Sequence, residues 1–299
     1  MKILLTGSNG FLGSCIFGEI EKKYKVFTLN RTNSDYNVDL EYNQILFDVN
    51  FDLIIHSAGK AHIIPNNILE SNNLFECNVN LTKNLLNSLE QSSLPRYFIF
   101  ISSVSVYGLV TGELINEDQP LTANDAYGKS KLISEQIILD WCYKNNIICT
   151  ILRLPLLIGK NPPGNLKNMI KAIKLKYYFN IAGGKSKKSM VYIKDVASII
   201  VRIYKIGGVY NLTDGYNPSF YELSKKISSF MGYKYIPNMP KFIALILSLL
   251  GDIFGNRFPI NSIKMSKICT TLTFDDTKAR NKFNWNPTPV LNLSKDSLL

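Results

Sequence analysis

Tyr127 and Lys131 put a phenol and an ammonium four residues apart in the run Tyr127-Gly128-Lys129-Ser130-Lys131. On a helix that spacing brings both groups onto one face. A phenol titrating near 10 is a weak base at neutral pH, and a neighbouring cation favours the phenolate. The pair therefore suits removal of a proton from a hydroxyl, or delivery of one to a carbonyl. Ser103 stands 24 residues earlier, where the apolar run Tyr97-Phe98-Ile99-Phe100-Ile101 ends. Its hydroxyl can bond the same reacting oxygen. Each feature alone has a plain explanation: a solvated helix pair, or a serine closing a strand. Their order, behind the glycine turn described next, argues for a catalytic set of Ser103, Tyr127 and Lys131.

The chain opens Lys2-Ile3-Leu4-Leu5-Thr6-Gly7-Ser8-Asn9-Gly10-Phe11-Leu12-Gly13. An apolar strand runs into a glycine turn, and an apolar-periodic helix follows (Phe11, Leu12, Ile16, Ile20). Gly7 permits a tight reversal, Gly10 lets the backbone approach a diphosphate, and Gly13 lets the helix pack closely on the sheet. The helix N-terminus then directs its free N–H groups and positive dipole end at phosphate. Gly7, Asn9, Gly10, Phe11, Leu12 and Gly13 are thus expected to bind a dinucleotide.

Elements must hold these groups in one crevice. Apolar runs read as strands at 2–6, 25–29, 37–39, 52–56, 97–102 and 147–153, with helices near 11–22, 41–47, 72–92 and 126–144. That alternation predicts an α/β chain with a Rossmann-like doubly wound parallel sheet. Ligands of such sheets gather at the carboxyl ends of the strands, where Gly7, Ser57-Ala58-Gly59 and Ser102-Ser103 fall. After Arg153 the texture is broken by Pro155, Pro162, Pro163 and Gly164. The division expected is a dinucleotide-binding domain over 1–160, with a segment near 190–212 returning to the main sheet, and a smaller C-terminal substrate-binding lobe over 161–299.

An apolar fraction of 46% supports a substantial core. The five cysteines are scattered without a C-x-x-C pair, which suggests neither disulfide framework nor metal site. No secretory leader is read at the start, so a cytoplasmic protein is expected. The net charge of +11 comes from thinly spread basic residues without a Lys/Arg block interleaved with aromatics. That disfavours nucleic acid and fits anionic small ligands, or an anionic membrane surface. Phe242-Ile243-Ala244-Leu245-Ile246-Leu247-Ser248-Leu249-Leu250 is too short for a transmembrane segment. It reads as a buried helix, with a monotopic membrane contact as the alternative.

The chain resembles the extended short-chain dehydrogenase/reductases of the NAD-dependent epimerase/dehydratase family. The resemblance rests on the glycine turn, His56-Ser57-Ala58-Gly59, Asn78-Val79-Asn80, Ser102-Ser103-Val104-Ser105-Val106-Tyr107-Gly108, the Tyr127/Lys131 run and Val191-Tyr192-Ile193-Lys194-Asp195-Val196. It is most similar to UDP-sugar 4-epimerases and 4-ketoreductases of surface-polysaccharide synthesis. The resemblance implies an NAD or NADP cofactor and a nucleotide-sugar substrate, UDP-linked in the nearest class. It gives Lys131 the nicotinamide ribose, Asp39 and Leu40 the adenine, and Ala58, Gly59, Lys60 and Asn78 the cofactor lining. Substrate contacts would come from Ser103, Tyr127, Asn165, Leu166 and Lys188. It also implies a homodimer through the helices that follow Asn78 and carry Tyr127, for which Leu85, Leu86, Leu89, Ile133, Ile137 and Ile138 offer apolar surface.

Three departures from the family pattern stand out. The second strand ends in Asn30-Arg31 rather than a carboxylate, so nothing repels a 2′-phosphate and NADP(H) is favoured. Leu156 stands where epimerases carry a substrate-binding asparagine. Lys188 stands where an arginine is usual, and lysine lacks the bidentate fork. The expected reaction is hydride transfer at sugar C4, as an epimerase or a keto-sugar reductase. A dehydratase is disfavoured, because Val104 and Ser105 lie where its acidic pair would be. A non-catalytic NAD(P)-binding sensor is the alternative from another class.

Overall fold

Side-chain alternation in the first strand, β1 (Lys2–Thr6), builds two layers at once. Ile3 and Leu5 join one apolar core and Leu4 the other, and all three are fully buried. This is the pattern of a strand covered on both faces. The computed structural model describes residues 1–61, 65, 67–254 and 261–299. The strands that follow are β2 (Lys25–Asn30), β3 (Tyr36–Asn37), β4 (Leu53–His56), β5 (Tyr97–Ser103), β6 (Gly112–Ile115), β7 (Ile148–Leu154), β8 (Leu156–Ile158), β9 (Asn180–Ile181), β10 (Met190–Tyr192), β11 (Gly208–Asn211), β12 (Asn238–Met239) and β13 (Leu272–Phe274). The helices are α1 (Phe11–Ile20), α2 (Ile68–Ser92), α3 (Ala126–Lys144), α4 (Gly164–Lys174), α5 (Ile193–Ile203), α6 (Phe220–Phe230), α7 (Lys241–Phe254), α8 (Ser262–Cys269), α9 (Thr277–Phe283) and α10 (Lys295–Leu298).

Seven strands form one parallel sheet in the order β11-β7-β5-β4-β1-β2-β3. The order reverses beside β1, so the loops after β1 and β4 open a crevice at their carboxyl ends. The Rossmann-like class is therefore as expected. Helices α1 and α5 cover one face, with Ile16, Ile20, Val196 and Ile200 against Ile3, Leu5 and Leu152. On the other face α2 and α3 bring Leu85, Leu89, Ile138 and Trp141 onto Leu4, Ile54, Phe98 and Phe100. Apart from the main sheet, three two-stranded pairs form (β10-β8, β12-β9, β13-β6), and β11 is the edge strand beside β7.

Two local expectations are corrected. No helix forms over 41–47, because its backbone bonds to side chains of α2 instead of to itself. Asn84 donates to Leu40 O, and the N–H groups of Ile45 and Phe47 donate to Ser88 and Ser92 hydroxyls. Leu40 and Phe47 sink into the core as a result. Leu85, Leu86, Leu89 and Ile138, among the residues named for a second copy, are buried against the chain's own sheet. Finally, 242–250 is helical but not buried. Phe242, Ile243, Leu245, Ile246, Leu249 and Leu250 are exposed. Among the described residues no helix is long and apolar enough to cross a membrane.

Candidate active site

The glycine turn is shaped by backbone packing. Gly7 has φ +75°, and a Cβ there would lie 2.7 Å from Ala58 N and Cα in the loop after β4. A Cβ on Gly13 would lie 2.0 Å from Gly7 O, so only glycine lets α1 rise this close to the turn. Gly10 is different. It caps α1 in extended geometry, with no side-chain cap bond. A Cβ there would touch only Gly7 O, at 3.2 Å, and would otherwise project into open space. The chain's own packing scarcely demands glycine here. Free N–H groups at a helix N-terminus behind an open glycine fit the diphosphate of a dinucleotide.

The rim of this cradle is tied to the end of β2. Asn9 Nδ2 donates to Thr32 O at 2.9 Å, and Asn30 Nδ2 donates to Ser8 Oγ at 2.7 Å. Both asparagines, expected at the cofactor, are thus engaged in holding the rim. Arg31 is exposed beside them. Asp39 accepts from Glu41 N–H at 3.1 Å. Leu40 is buried in the core beneath, rather than at the surface of the crevice. Lys60 Nζ pairs with Glu41 at 2.9 Å, and its backbone is clipped by the Asn78 amide, which accepts from Lys60 N–H at 2.7 Å and donates to Lys60 O at 3.1 Å.

The proposed catalytic groups come from β5 and α3. Asp125 caps α3, accepting from Gly128 N–H at 2.9 Å, so Tyr127 and Lys131 lie in its first turns. A Cβ on Gly128 would lie 2.6 Å from Ser105 O. This glycine lets the start of α3 lie directly on the loop after Ser103, and the Ser103 hydroxyl is near enough to act on the Tyr127 phenol. Ser103 Oγ also accepts from Ser105 N–H at 3.2 Å. It therefore serves as the turn cap that sequence alone would suggest, as well as facing Tyr127. Lys131 is buried. Its ammonium donates to Ile101 O at 3.0 Å and lies 4.6 Å from the centre of the Phe100 ring. A Cβ on Gly59 would sit 3.4 Å from both Lys131 Nζ and Asn78 Oδ1, so the fold gathers these three residues.

Burial pushes the Tyr127 phenol up to about 12, with the Ser103 hydroxyl pulling the other way. In the protein alone desolvation dominates. Burial also lowers the Lys131 ammonium to about 8, partly offset by the Glu135 carboxylate. Glu135 was not foreseen. One further turn along the Tyr127/Lys131 face, it receives Arg153 Nη2 at 2.7 Å and the Ser102 hydroxyl, in a nearly solvent-free pair. Arg153 also donates to Tyr107 Oη at 3.1 Å, and that hydroxyl donates to Asn211 at 2.8 Å. The periodicity Tyr127-x3-Lys131-x3-Glu135 is the signal that could have found it.

A second buried line runs under the crevice. Ala58 N–H donates to Thr6 Oγ1, which lies 2.8 Å from His56 Nδ1, and His56 Nε2 lies 3.2 Å from Thr82 Oγ1. Thr82 donates to Asn78 O. Burial, together with the Lys131 charge, drops His56 to about 3, so the ring is neutral at physiological pH.

The other expected substrate residues stand on other elements. Asn165 is exposed in the first turn of α4, and Leu166 beside it is buried in the core. Lys188 is half-buried, and among the described residues it forms no ion pair. Burial and the nearby Lys267 charge lower its ammonium to about 8. Among the described residues no hydrogen bond joins these three to Ser103 or Tyr127.

Residues 3–212 match the NAD dependent epimerase/dehydratase family. The chain is 26% identical, over 92% of its length and 88% of the relative, to the N-acetyl-alpha-D-glucosaminyl-diphospho-ditrans,octacis-undecaprenol 4-epimerase of Escherichia coli O157:H7. It is 31% identical to a decarboxylating sterol-4-alpha-carboxylate 3-dehydrogenase of Dictyostelium discoideum, over 95% of this chain and 97% of that one. The UDP-glucose 4-epimerase of Thermotoga maritima, solved with UDP-glucose, has the same fold: TM-score 0.75, 20% identity, 99% of this chain and 95% of that one. Proteins of this fold have been solved with NAD and with NADPH. The match covers the whole run from the glycine turn through β11, and on it the chain belongs to the NAD dependent epimerase/dehydratase family.

Proposed function

We propose that the protein is a nucleotide-sugar oxidoreductase acting at sugar C4, as a UDP-sugar 4-epimerase or a 4-keto-sugar reductase. The carrying observation is the Gly128–Ser105 contact. It supports a site in which the Ser103 hydroxyl acts on the Tyr127 phenol and Lys131 lies beside Gly59.

Gly7, Gly10 and Gly13 with the α1 N-terminus hold the cofactor diphosphate. Ala58, Gly59, Lys60 and Asn78 line its path, and Lys131 meets the ribose. The bound nicotinamide ring accepts or supplies a hydride and, when oxidised, adds a positive charge. Tyr127, protonated at neutral pH in the protein alone, gives its proton to a carbonyl oxygen as the carbonyl becomes an alcohol. In the reverse sense it takes that proton back, and the Lys131 ammonium stabilises the phenolate it then carries. Ser103 holds the same oxygen and steadies developing charge. Arg31, exposed at the end of β2 with no carboxylate in place of Asn30, supports NADP(H) through the adenosine 2′-phosphate. Asn165 and Lys188 supply contacts to the carrier of the sugar.

A second reading concerns that carrier. The E. coli O157:H7 relative is named for a sugar on a diphospho-polyprenol, and the outward apolar face of α7 favours a lipid carrier here as well. Both carriers present a diphosphate.

Turnover of UDP-hexoses and UDP-N-acetylhexosamines, followed by sugar analysis, tests the reading. Tyr127→Phe is expected to lower kcat by about 10²–10⁴-fold with dinucleotide binding retained. Unchanged turnover in that variant refutes the assignment. Co-purified NAD that survives turnover indicates an epimerase, and NADPH consumed stoichiometrically indicates a reductase.

A further inference from the structure

Helix α7 is inside out. At 100° per residue, Phe242, Ile243, Leu245, Ile246, Leu249 and Leu250 fill one continuous arc of about 160°. All six are exposed, Phe242 and Leu249 by more than 60%. The inward stripe is made of small residues, Ala244, Ser248 and Gly251, and these are the buried ones. Ser248 returns its hydroxyl to Leu245 O, so the helix needs no polar partner from the rest of the chain. A surface helix of a water-borne domain places its large apolar groups against the core. Here small residues meet the protein, Leu247 is half-buried beside them, and six large residues are left outside. Contiguous apolar surface on this scale marks an interaction site.

The flanking sequence is basic. From Lys234 to Lys267 the sequence holds five basic residues and one acidic residue, Asp252. The Asp252 carboxylate is already engaged by the Ser262 N–H and hydroxyl. Lys241 opens α7 and is exposed. Helix α8 packs against α7 and carries Lys267, whose charge is felt by Lys188. Lys267 is itself exposed. The whole chain carries +11. At 14 residues, or about 21 Å, α7 cannot cross the roughly 30 Å hydrocarbon layer. An apolar arc flanked by lysines on a helix of that length suits the interface plane of a bilayer bearing negative lipids.

We propose that α7 is an interfacial helix that seats this protein on an anionic phospholipid membrane, with Phe242, Ile246 and Leu249 at the centre of the inserted face and Lys241 and Lys267 among the headgroups. The seat stands on the geometry of α7 and is independent of whether the sugar rides on a nucleotide or a lipid.

Flotation of the full chain with vesicles tests it. The protein is expected to rise with vesicles of phosphatidylcholine and phosphatidylglycerol at low salt, and to rise far less with phosphatidylcholine alone. Ile246→Asp/Leu249→Asp is expected to cut the floated fraction at least tenfold with an unchanged melting temperature, because both side chains are already in water. Phe242→Ser, a milder change, is expected to lower it in the same direction. Tyr127→Phe is expected to float like the parent, which separates this test from the catalytic one. The proposal is overturned if the parent stays at the bottom of the gradient with both vesicle types, or if the double variant floats as the parent does. It is overturned equally if light scattering shows a dimer that the double variant converts to monomer without any vesicle binding, since a second copy then covers the face.

Discussion

Gly10→Ala and Gly13→Ala separate what the glycine turn does for the fold from what it does for a ligand. At Gly10 the backbone has φ −79° and ψ 168°, ordinary for alanine. The added methyl meets only Gly7 O, at 3.2 Å. Alanine is a poorer helix cap than glycine by about 0.5–1 kcal/mol, and it recovers about 0.4–1 kcal/mol by restricting the unfolded chain. Stability is therefore expected to stay within about 1 kcal/mol of the parent, a melting shift of about 2–4 °C at most. The methyl does stand where phosphate must approach. Losing one charge-assisted hydrogen bond, about 1.5–3 kcal/mol, weakens dinucleotide binding about 10- to 150-fold. Gly13→Ala has the opposite profile. Its methyl would lie 2.0 Å from Gly7 O, so α1 must move off the turn, at about 3 kcal/mol or more. Thermal melting reads the first quantity, and titration of bound NAD(P)H fluorescence reads the second. Undiminished dinucleotide affinity in Gly10→Ala, or an unchanged melting temperature in Gly13→Ala, refutes the reasoning.

Other perturbations follow from the buried groups. Glu135→Ala leaves the Arg153 guanidinium buried without its carboxylate, so urea unfolding is expected to show a loss of about 3–5 kcal/mol. His56 titrates near 3 in the fold and near 6.5 unfolded. The unfolded chain therefore gains a proton first, and stability is expected to fall as pH drops from 6.5 toward 3, by about 1.4 kcal/mol per unit from this group. His56→Gln should flatten that limb of a melting-versus-pH curve. Arg31→Ala is expected to weaken NADPH at least about tenfold, the worth of one charge-assisted bond, and to leave NADH unchanged in parallel titrations. Equal effects on both would remove Arg31 from the 2′-phosphate.

Local patterns carried much of the fold. The glycine turn after an apolar strand, and the strand ends at Ser57 and Ser103, are legible because a doubly covered parallel strand must be apolar throughout and must stop where its loop begins. The segment 41–47 was misread, since its helix-like pattern is overruled by Asn84, Ser88 and Ser92, which lie more than forty residues further on in the chain. Helix α7 was misread for a different reason. Periodicity reports an apolar arc but not which arc meets the protein, and small residues won the inward side.

Within the site, the sequence by itself determined which groups are present and on which element each rides: the phenol and ammonium one turn apart on α3, and the serine at the end of β5. Chain spacing along a helix or strand fixes such things without reference to the rest of the molecule. Only the tertiary structure decided their environment. Gly128 against Ser105, Lys131 against Phe100 and Ile101 O, and Arg153 on Glu135 join elements distant in the chain. Proton affinities depend on what surrounds a group in space, so the fold rather than the motif raised Tyr127 toward 12 and lowered Lys131 toward 8.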